Sequence, residues 1–425
     1  MKHLPFRILC GGTLLAAGTF AAVPAALAAE GCDTAGLALP DGFCATEFAA
    51  DASQPRHLAV ADNGVVYVNL ATEVDGHALL ALRDTDGDGV ADTRKSFGQG
   101  GATGLTIHDG WLYAATLTDI YRYKLGESLV PEGEPEHLVS GLPQQSAHSA
   151  RGLAVSDDGS LFVNIGAPSN ACQAQDRSPG SKGQDPCPLL EEHGGIWRFS
   201  ASDTGQKFSP DARFATGIRN MFALAWHDGQ LYGAQHGRDQ LHSNWPDEFT
   251  QEQSAHLPAE ELFAVDEGDN FGWPFCYYDP KQKKKVLGPE YGGDGDKVGR
   301  CKNFEDPIAA YPAHWAPMAI QFSQGEGLGK GYADGAFIAF HGSWNRAPSP
   351  QAGYRVIFQP FADGKPSGDY KTFAGPKGFT GSDTIRSPGE AEHRPAGLAQ
   401  AADGALYISD DAGSTIFRVT RGQAG

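Results

Sequence analysis

The chain has 425 residues, 55 of them glycine and 27 proline, and carries 33 basic against 52 acidic side chains for a formal charge of −19. A field of that sign repels phosphate backbones and anionic membrane surfaces, so nucleic-acid binding is excluded as a function class. The length admits two or three average domains, but an all-β domain can run long enough to fill it alone.

Residues 1–29 read as a secretory leader. Lys2 and Arg7 supply the positive start, Ile8 to Val23 the apolar stretch, and Ala26-Leu27-Ala28 the small-residue cleavage pattern. No stop-transfer segment follows, so no stable membrane anchor is expected, and a secreted or periplasmic location is. Loss of Lys2 and Arg7 with the leader moves the formal charge from −19 to −21. Six cysteines remain (Cys32, Cys44, Cys172, Cys187, Cys276 and Cys301), and an even number in an exported chain favours disulfides. Fifteen connectivities exist; the simplest joins sequence neighbours. The stretch 30–50 with Cys32 and Cys44 is expected to pack as an N-terminal strap.

From residue 56 one pattern recurs six times: an apolar segment, an Asp/Gly or Asn/Gly turn, then an aromatic or β-branched segment. It reads RHLAVADNGVVYVNL at 56–70, TGLTIHDGWLYAAT at 103–116 and RGLAVSDDGSLFVNIG at 151–166. It returns as FALAWHDGQLYGAQHG at 222–237, more loosely over 318–342, and as AGLAQAADGALYISDD at 396–411. Such alternation about these turns marks β-hairpins. The turn glycines Gly64, Gly110, Gly159, Gly229, Gly335 and Gly404 lie 46, 49, 70, 106 and 69 residues apart. The shorter intervals fit a four-stranded blade, the longer ones a blade with inserted loops. The reading is all-β: a six-bladed β-propeller forming one catalytic domain over 30–425, with the interval of 106 residues long enough to hold a seventh blade.

Between the first two repeats, DTDGDGVAD places Asp84, Asp86, Asp88 and Asp92 at positions 1, 3, 5 and 9 of a loop with Gly89 at position 6. That is the oxygen spacing of an EF-hand-like calcium loop, although position 12 is Lys95 rather than a bidentate glutamate. The run Lys281-Gln282-Lys283-Lys284-Lys285 reads as a solvated basic loop.

In a propeller every inner strand starts at the same end of the axis and the second strand returns there. Arg56, Arg151, Arg219 and Arg394 precede four of the six inner strands, so they should share one rim. Like charges converging there call for an anion, and arginine forks suit carboxylates. The second-strand exits AQHGRD (234–239) and HGSWNRAP (341–348) add His236, Gly237, Arg238, Trp344, Asn345 and Arg346 to that rim. His148, three residues before Arg151, faces it as a candidate general base kept neutral by the arginines.

These segments, together with GIRNMFALAW (217–226) and EGDNFGWPFC (267–276), resemble the secreted quinone-dependent sugar dehydrogenases: soluble glucose dehydrogenase and its aldose, sorbosone and pyranose relatives. The resemblance implies pyrroloquinoline quinone (PQQ) and Ca²⁺ at the channel mouth, a carbohydrate substrate, and an external quinone or cytochrome as electron acceptor. It implies that His148 takes the proton of a sugar hydroxyl while hydride passes to the quinone. It further implies that Arg219, Asn220 and Arg394 contact the cofactor, and that the carbonyls of Gly237 and Arg238 hold its calcium. The chain departs from the glucose dehydrogenase pattern in four places. Ala147 replaces an acidic residue, Arg238 a proline, and a pair of late arginines is reduced to Arg394 beside His393. A fifth-blade lysine is absent, with Arg346 its candidate substitute. Two alternatives stay open: a calcium-dependent lactonase, which needs acidic side chains around a central metal, and a non-catalytic binding propeller.

Overall fold

The computed structural model describes residue 1 and residues 32–422; the expected leader lies outside the described residues, Met1 apart. Six antiparallel sheets follow one another around an axis. Blade 1 runs Pro55–Val60, Val66–Val74, His77–Arg83, Thr93–Phe97, and blade 2 runs Leu105–His108, Trp111–Ala115, Ile120–Lys124, Glu136–Ser140. Blade 3 comprises Leu153–Val155, Ser160–Ile165, Gly195–Ser200 and Arg213–Thr216; blade 4 comprises Ala223–His227, Gln230–Gln235, Glu260–Val265 and Ala309–Tyr311. Blade 5 is built on Pro317–Phe322, Gly335–Phe340, Arg355–Ala362 and Lys371–Ala374. Each of the six repeats is therefore the inner hairpin of one blade. Five of the six turn glycines take φ between 73° and 88°, the left-handed region that glycine enters without strain.

Blade 6 joins the two ends of the described chain. Pro395–Gln400, Leu406–Asp410 and Thr415–Arg421 form its first three strands, and Phe43–Ala49 completes it from Phe43↔Arg421 onward. The segment expected as a strap is thus the outermost strand of the last blade, which closes the ring and covers what would otherwise be an open sheet edge. All three disulfides join nearest neighbours: Cys32–Cys44, Cys172–Cys187 and Cys276–Cys301.

The long interval holds no seventh blade. After the second strand of blade 4 come two short helices, Leu241–Asn244 and Gln251–His256. After the third strand the chain bridges to the outer strand of blade 3 at Thr216↔Asn270 and forms a hairpin, Cys276–Asp279 with Lys284–Leu287. Tyr277 and Val286 of that hairpin share one apolar cluster with Leu241, Trp245, Phe249 and Leu257. The basic run is correspondingly not all solvated: Lys285 is 3% exposed, donates to the Phe271 carbonyl at 2.5 Å and lies 3.7 Å from Glu261. Among the described residues no helix is long and apolar enough to cross a membrane.

Close approach of the inner strands explains a feature of the repeat that the hairpin rule does not. A Cβ on Gly104 would stand 2.0 Å from the Arg151 carbonyl oxygen, one on Gly152 2.2 Å from that of Phe222, and one on Gly397 2.3 Å from that of Arg56. In each case the glycine lies near the start of one inner strand, and the oxygen belongs to a residue near the start of the next blade's. The Gly-Leu pairs of the repeat let neighbouring backbones meet at the rim, while the leucine turns into the core. Gly152→Ala is accordingly expected to destabilise the fold by about 1–3 kcal/mol, the usual cost of overpacking, in a denaturant titration. An unchanged midpoint would refute this role.

Candidate functional site

The axis is divided into two chambers. Phe222, Met318 and Ala396, at or next to the starts of three inner strands, form an apolar cluster across it, and His57 Nε2 binds the Met318 carbonyl at 2.7 Å beside them. One side holds a cavity of about 440 Å³ lined by residues of all six inner strands. At the other end, where the inner strands begin, lies a cleft of about 200 Å³ lined by His148, Arg177, Arg219, His236, Gly237, Asp239, Glu260, His314, Ala316, Ser343 and Trp344. The first chamber is lined by His57, His108, Asp157 and His227, whereas the second brings His148, His236, His314, Arg177, Arg219, Asp239 and Glu260 together.

His148 sits at φ 52° in the turn before blade 3. The Gln145 side-chain amide donates to the carbonyls of Ala147 (2.9 Å), His148 (3.0 Å) and Gly166 (2.7 Å), which clamps that turn. Its Nδ1 lies 2.5 Å from the Ala167 carbonyl. A carbonyl can only accept, so Nδ1 carries the hydrogen and Nε2 of the neutral ring is bare. Burial, followed by the Arg219 charge, pushes the imidazole down to about 3. The ring is thus a fixed, neutral proton acceptor at any ordinary pH.

Arg219, 3% exposed, precedes the inner strand of blade 4 and pairs with Asp239 at 2.8 Å, while its buried Nε has no partner among the described residues. Arg177 reaches the same carboxylate at 3.1 Å from the loop that Cys172–Cys187 closes. Burial alone would raise the Asp239 carboxyl, but the two guanidinium groups outweigh it and hold it well below the usual carboxylate range. His236 binds the Pro317 carbonyl at 2.8 Å, and burial lowers it to about 4. Burial also pushes Glu260 up to about 7, against hydrogen bonds from the Gly237 and Ala316 amides.

Of the expected rim residues, the structure brings His148, Arg219, His236, Gly237 and Trp344 together around the cleft. Trp344 is 50% exposed at its edge. Asn220 stands behind it, 3% exposed, with Oδ1 3.5 Å from Asn164 Nδ2. Asn345 is buried between His314 (3.3 Å) and the Gln240 amide (3.3 Å). Three expectations are corrected. Arg151 is fully buried and donates to the Leu117 and Pro143 carbonyls, away from the cleft; burial lowers it to about 10. Arg56 pairs with Asp411, which also binds His341 at 2.7 Å. Arg346 donates to the carbonyls of Ala255 and Pro350. Arg238 is a different case: its guanidinium is paired with Glu290 in the interior, and the carbonyl expected as a ligand takes no part in that pair. Arg394 is intermediate: it donates to the His341 and Gly342 carbonyls through Nε and Nη2. Arg151, Arg346 and Arg394 are taken up by carbonyls that loop ends on a propeller rim leave without donors, whereas Arg56 and Arg238 are taken up by carboxylates.

Arg177, Asp239, Glu260 and His314 were missed. Asp239 stands in the AQHGRD exit itself, and Arg177 in a long second-strand exit bracketed by cysteines, so blade geometry could have found both. Glu260 carried only the weak signal of an acid opening an apolar strand.

The acidic loop lies apart, between the third and outer strands of blade 1. Carboxylate oxygens of Asp84, Asp86 and Asp88 all lie within 4.8 Å of one another. Asp92 stands outside that trio and closes the loop through Thr85, accepting from its amide at 2.8 Å and its hydroxyl at 2.6 Å.

The TrAA12-like family model matches residues 37–422. A pyrroloquinoline quinone-dependent sugar dehydrogenase of Hypocrea jecorina is 23% identical over 382 residues, 85% of this chain and 82% of that protein. A pyrroloquinoline quinone-dependent pyranose dehydrogenase of Coprinopsis cinerea is 28% identical over 190 residues, 39% of this chain and only 25% of that longer protein. The calcium structure of a Trichoderma reesei carbohydrate-active enzyme of family AA12 superposes with a TM-score of 0.72 at 20% identity, over 92% of this chain and 98% of that one. The last is a likeness of fold.

Two outcomes follow from the site itself. Since burial and Arg219 both disfavour the cation, nitrogen-detected NMR of the protein without cofactor, assigned with His148→Gln, should show a ring protonated at Nδ1 and unchanged from pH 5 to 8. Titration near 6.5 would contradict it. Asp86→Ala should lower the melting temperature in calcium but not in chelator; equal melting of the two proteins in calcium would exclude the loop as a metal site.

Proposed function

Because the chain belongs to the TrAA12-like family, we propose that it is a PQQ-dependent sugar dehydrogenase, an oxidoreductase acting on CH–OH groups. The observation that carries this reading is His148 itself, a ring held neutral with Nε2 bare beside the buried Arg219. Such a base suits removal of a hydroxyl proton from a sugar whose carbon is being oxidised. Bound PQQ supplies the ortho-quinone that accepts the hydride, and Ca²⁺ on it acts as a Lewis acid.

The residues present fit such a group. Arg219 has a buried Nε without a partner among the described residues, and the cofactor is a tricarboxylate that can satisfy it. Among the described residues the carbonyls of Gly237 and Arg238 accept no hydrogen bond, so both lone pairs of each remain for a hard cation. A Cβ on Gly237 would meet Pro258 Cγ at 2.8 Å and the Ala259 oxygen at 2.9 Å, so the chain can pass there only as glycine. Arg219, with Asn220 behind it, would hold the cofactor's carboxylate and quinone side, and Arg394 a further carboxylate. Trp344 and Ser343 border the space left for the sugar.

The same reading takes residues 1–29 as a cleaved leader, places the mature propeller outside the cytoplasm, and leaves reoxidation to an external quinone or cytochrome. The Asp84–Asp88 loop is a structural calcium site remote from the chemistry. A lactonase would need several acidic ligands around a metal on the axis. Among the described residues the one trio of ligating side chains within reach of a common ion is Asp84, Asp86 and Asp88, at the outer edge of blade 1.

Dye reduction over a panel of aldoses and polyols should require both added PQQ and Ca²⁺. His148→Ala should still bind the cofactor while kcat falls by about 10²–10⁴-fold, the usual worth of a general base. A parent protein that no sugar and no added quinone activates would overturn the reading, as would full activity in His148→Ala.

A further inference from the structure

One buried acid in the cleft has no part in the chemistry above. Glu260 opens the third strand of blade 4, lines the cleft and is 2% exposed. Its Oε2 accepts from the Gly237 amide at 2.9 Å and its Oε1 from the Ala316 amide at 3.1 Å. These bonds tie the second-strand exit of blade 4 to the approach of blade 5, on either side of the cleft. They satisfy the oxygens but do not cancel a charge. Among the described residues no lysine, arginine or histidine nitrogen lies within 4.0 Å of Glu260, and the nearby Arg219 is already paired with Asp239 at 2.8 Å. A buried carboxylate without a counter-cation is costly, and a positive charge in front of Gly237 would offset that cost.

Gly237 is confined from both sides. Glu260 holds its amide, and the contacts of Pro258 and Ala259 leave no room for a side chain. We propose that Glu260 is a positioning residue for the cofactor's cation: it fixes the Gly237 backbone with the carbonyl toward the cation and balances the cation's charge without touching it. This rests on the PQQ and calcium reading above. Loss of a group that supports a metal ligand in this way costs on the order of 10–100-fold in metal affinity.

The test is binding, not turnover. Protein stripped with chelator is titrated with Ca²⁺ at fixed PQQ, read by the absorbance of the bound quinone, in an Asp86→Ala background that removes the outer loop's calcium. Glu260→Gln should raise the calcium needed for half-saturation by about 10–100-fold. Excess calcium should restore the full amplitude, and Glu260→Asp, which keeps the charge, should recover most of the affinity. Half-saturation unchanged in Glu260→Gln overturns the proposal. So does a variant whose binding excess calcium cannot restore and whose melting temperature in chelator falls, since that is what a purely structural tie would give. Failure of the Asp86→Ala parent to bind PQQ at any calcium concentration would instead sink the cofactor reading itself.

Discussion

A ring of six sheets closes only if the inner strands come together backbone to backbone at one end of the axis, and the rest of the molecule follows from that contact. Gly104, Gly152 and Gly397 permit it, because at each a Cβ would overlap the carbonyl of the next blade. The same convergence sends the loops before the inner strands and after the second strands to one rim. That is why residues as distant in sequence as His148, Arg219, Gly237 and Trp344 border a single cleft. The apolar cluster of Phe222, Met318 and Ala396 separates that cleft from the lower chamber, so the upper one has a floor as well as walls.

Within the cleft, burial sets the chemistry and the charges refine it. It makes His148 a neutral base, lowers His236, and would raise both Asp239 and Glu260 were they alone. Arg219 and Arg177 keep Asp239 ionised, and Asp239 in turn stops the two arginines from repelling each other. A buried chain supports the arrangement from outside. Lys285 of the inserted hairpin lies near Glu261, Glu261 accepts from Gln235 at 2.7 Å, and Gln235 accepts from the Arg219 amide at 3.2 Å. The inserted hairpin of blade 4 therefore steadies the arginine that lines the cleft, which a mere surface elaboration would not do.

The inner hairpins were legible in the sequence because their signal is local: alternation on either side of a turn that needs positive φ. The disulfides were legible because each closes a short loop. The ring closure by Phe43–Ala49 was not, since its partner lies at the opposite end of the chain and edge pairing leaves no local mark. Arginine at a repeated rim position proved ambiguous for a physical reason. Arg151 and Arg219 occupy equivalent places, but loops of blade 2 present the Leu117 and Pro143 carbonyls to the first, whereas Asp239 and open space face the second. Which partner a guanidinium finds depends on loops that the repeat does not describe. For Asp239 and Glu260 the position was readable and the burial was not.

The central claim is that the cleft between His148 and Arg219 holds the quinone, with its cation on the Gly237 and Arg238 carbonyls. A crystal soaked with PQQ and calcium, with diffraction recorded at long wavelength, tests it most directly. The account predicts planar density between His148 and Arg219, an anomalous calcium peak against the two carbonyls and a second peak within the Asp84–Asp88 loop. Quinone bound in the lower chamber, or a cleft that stays without it while the loop fills with calcium, would contradict the account.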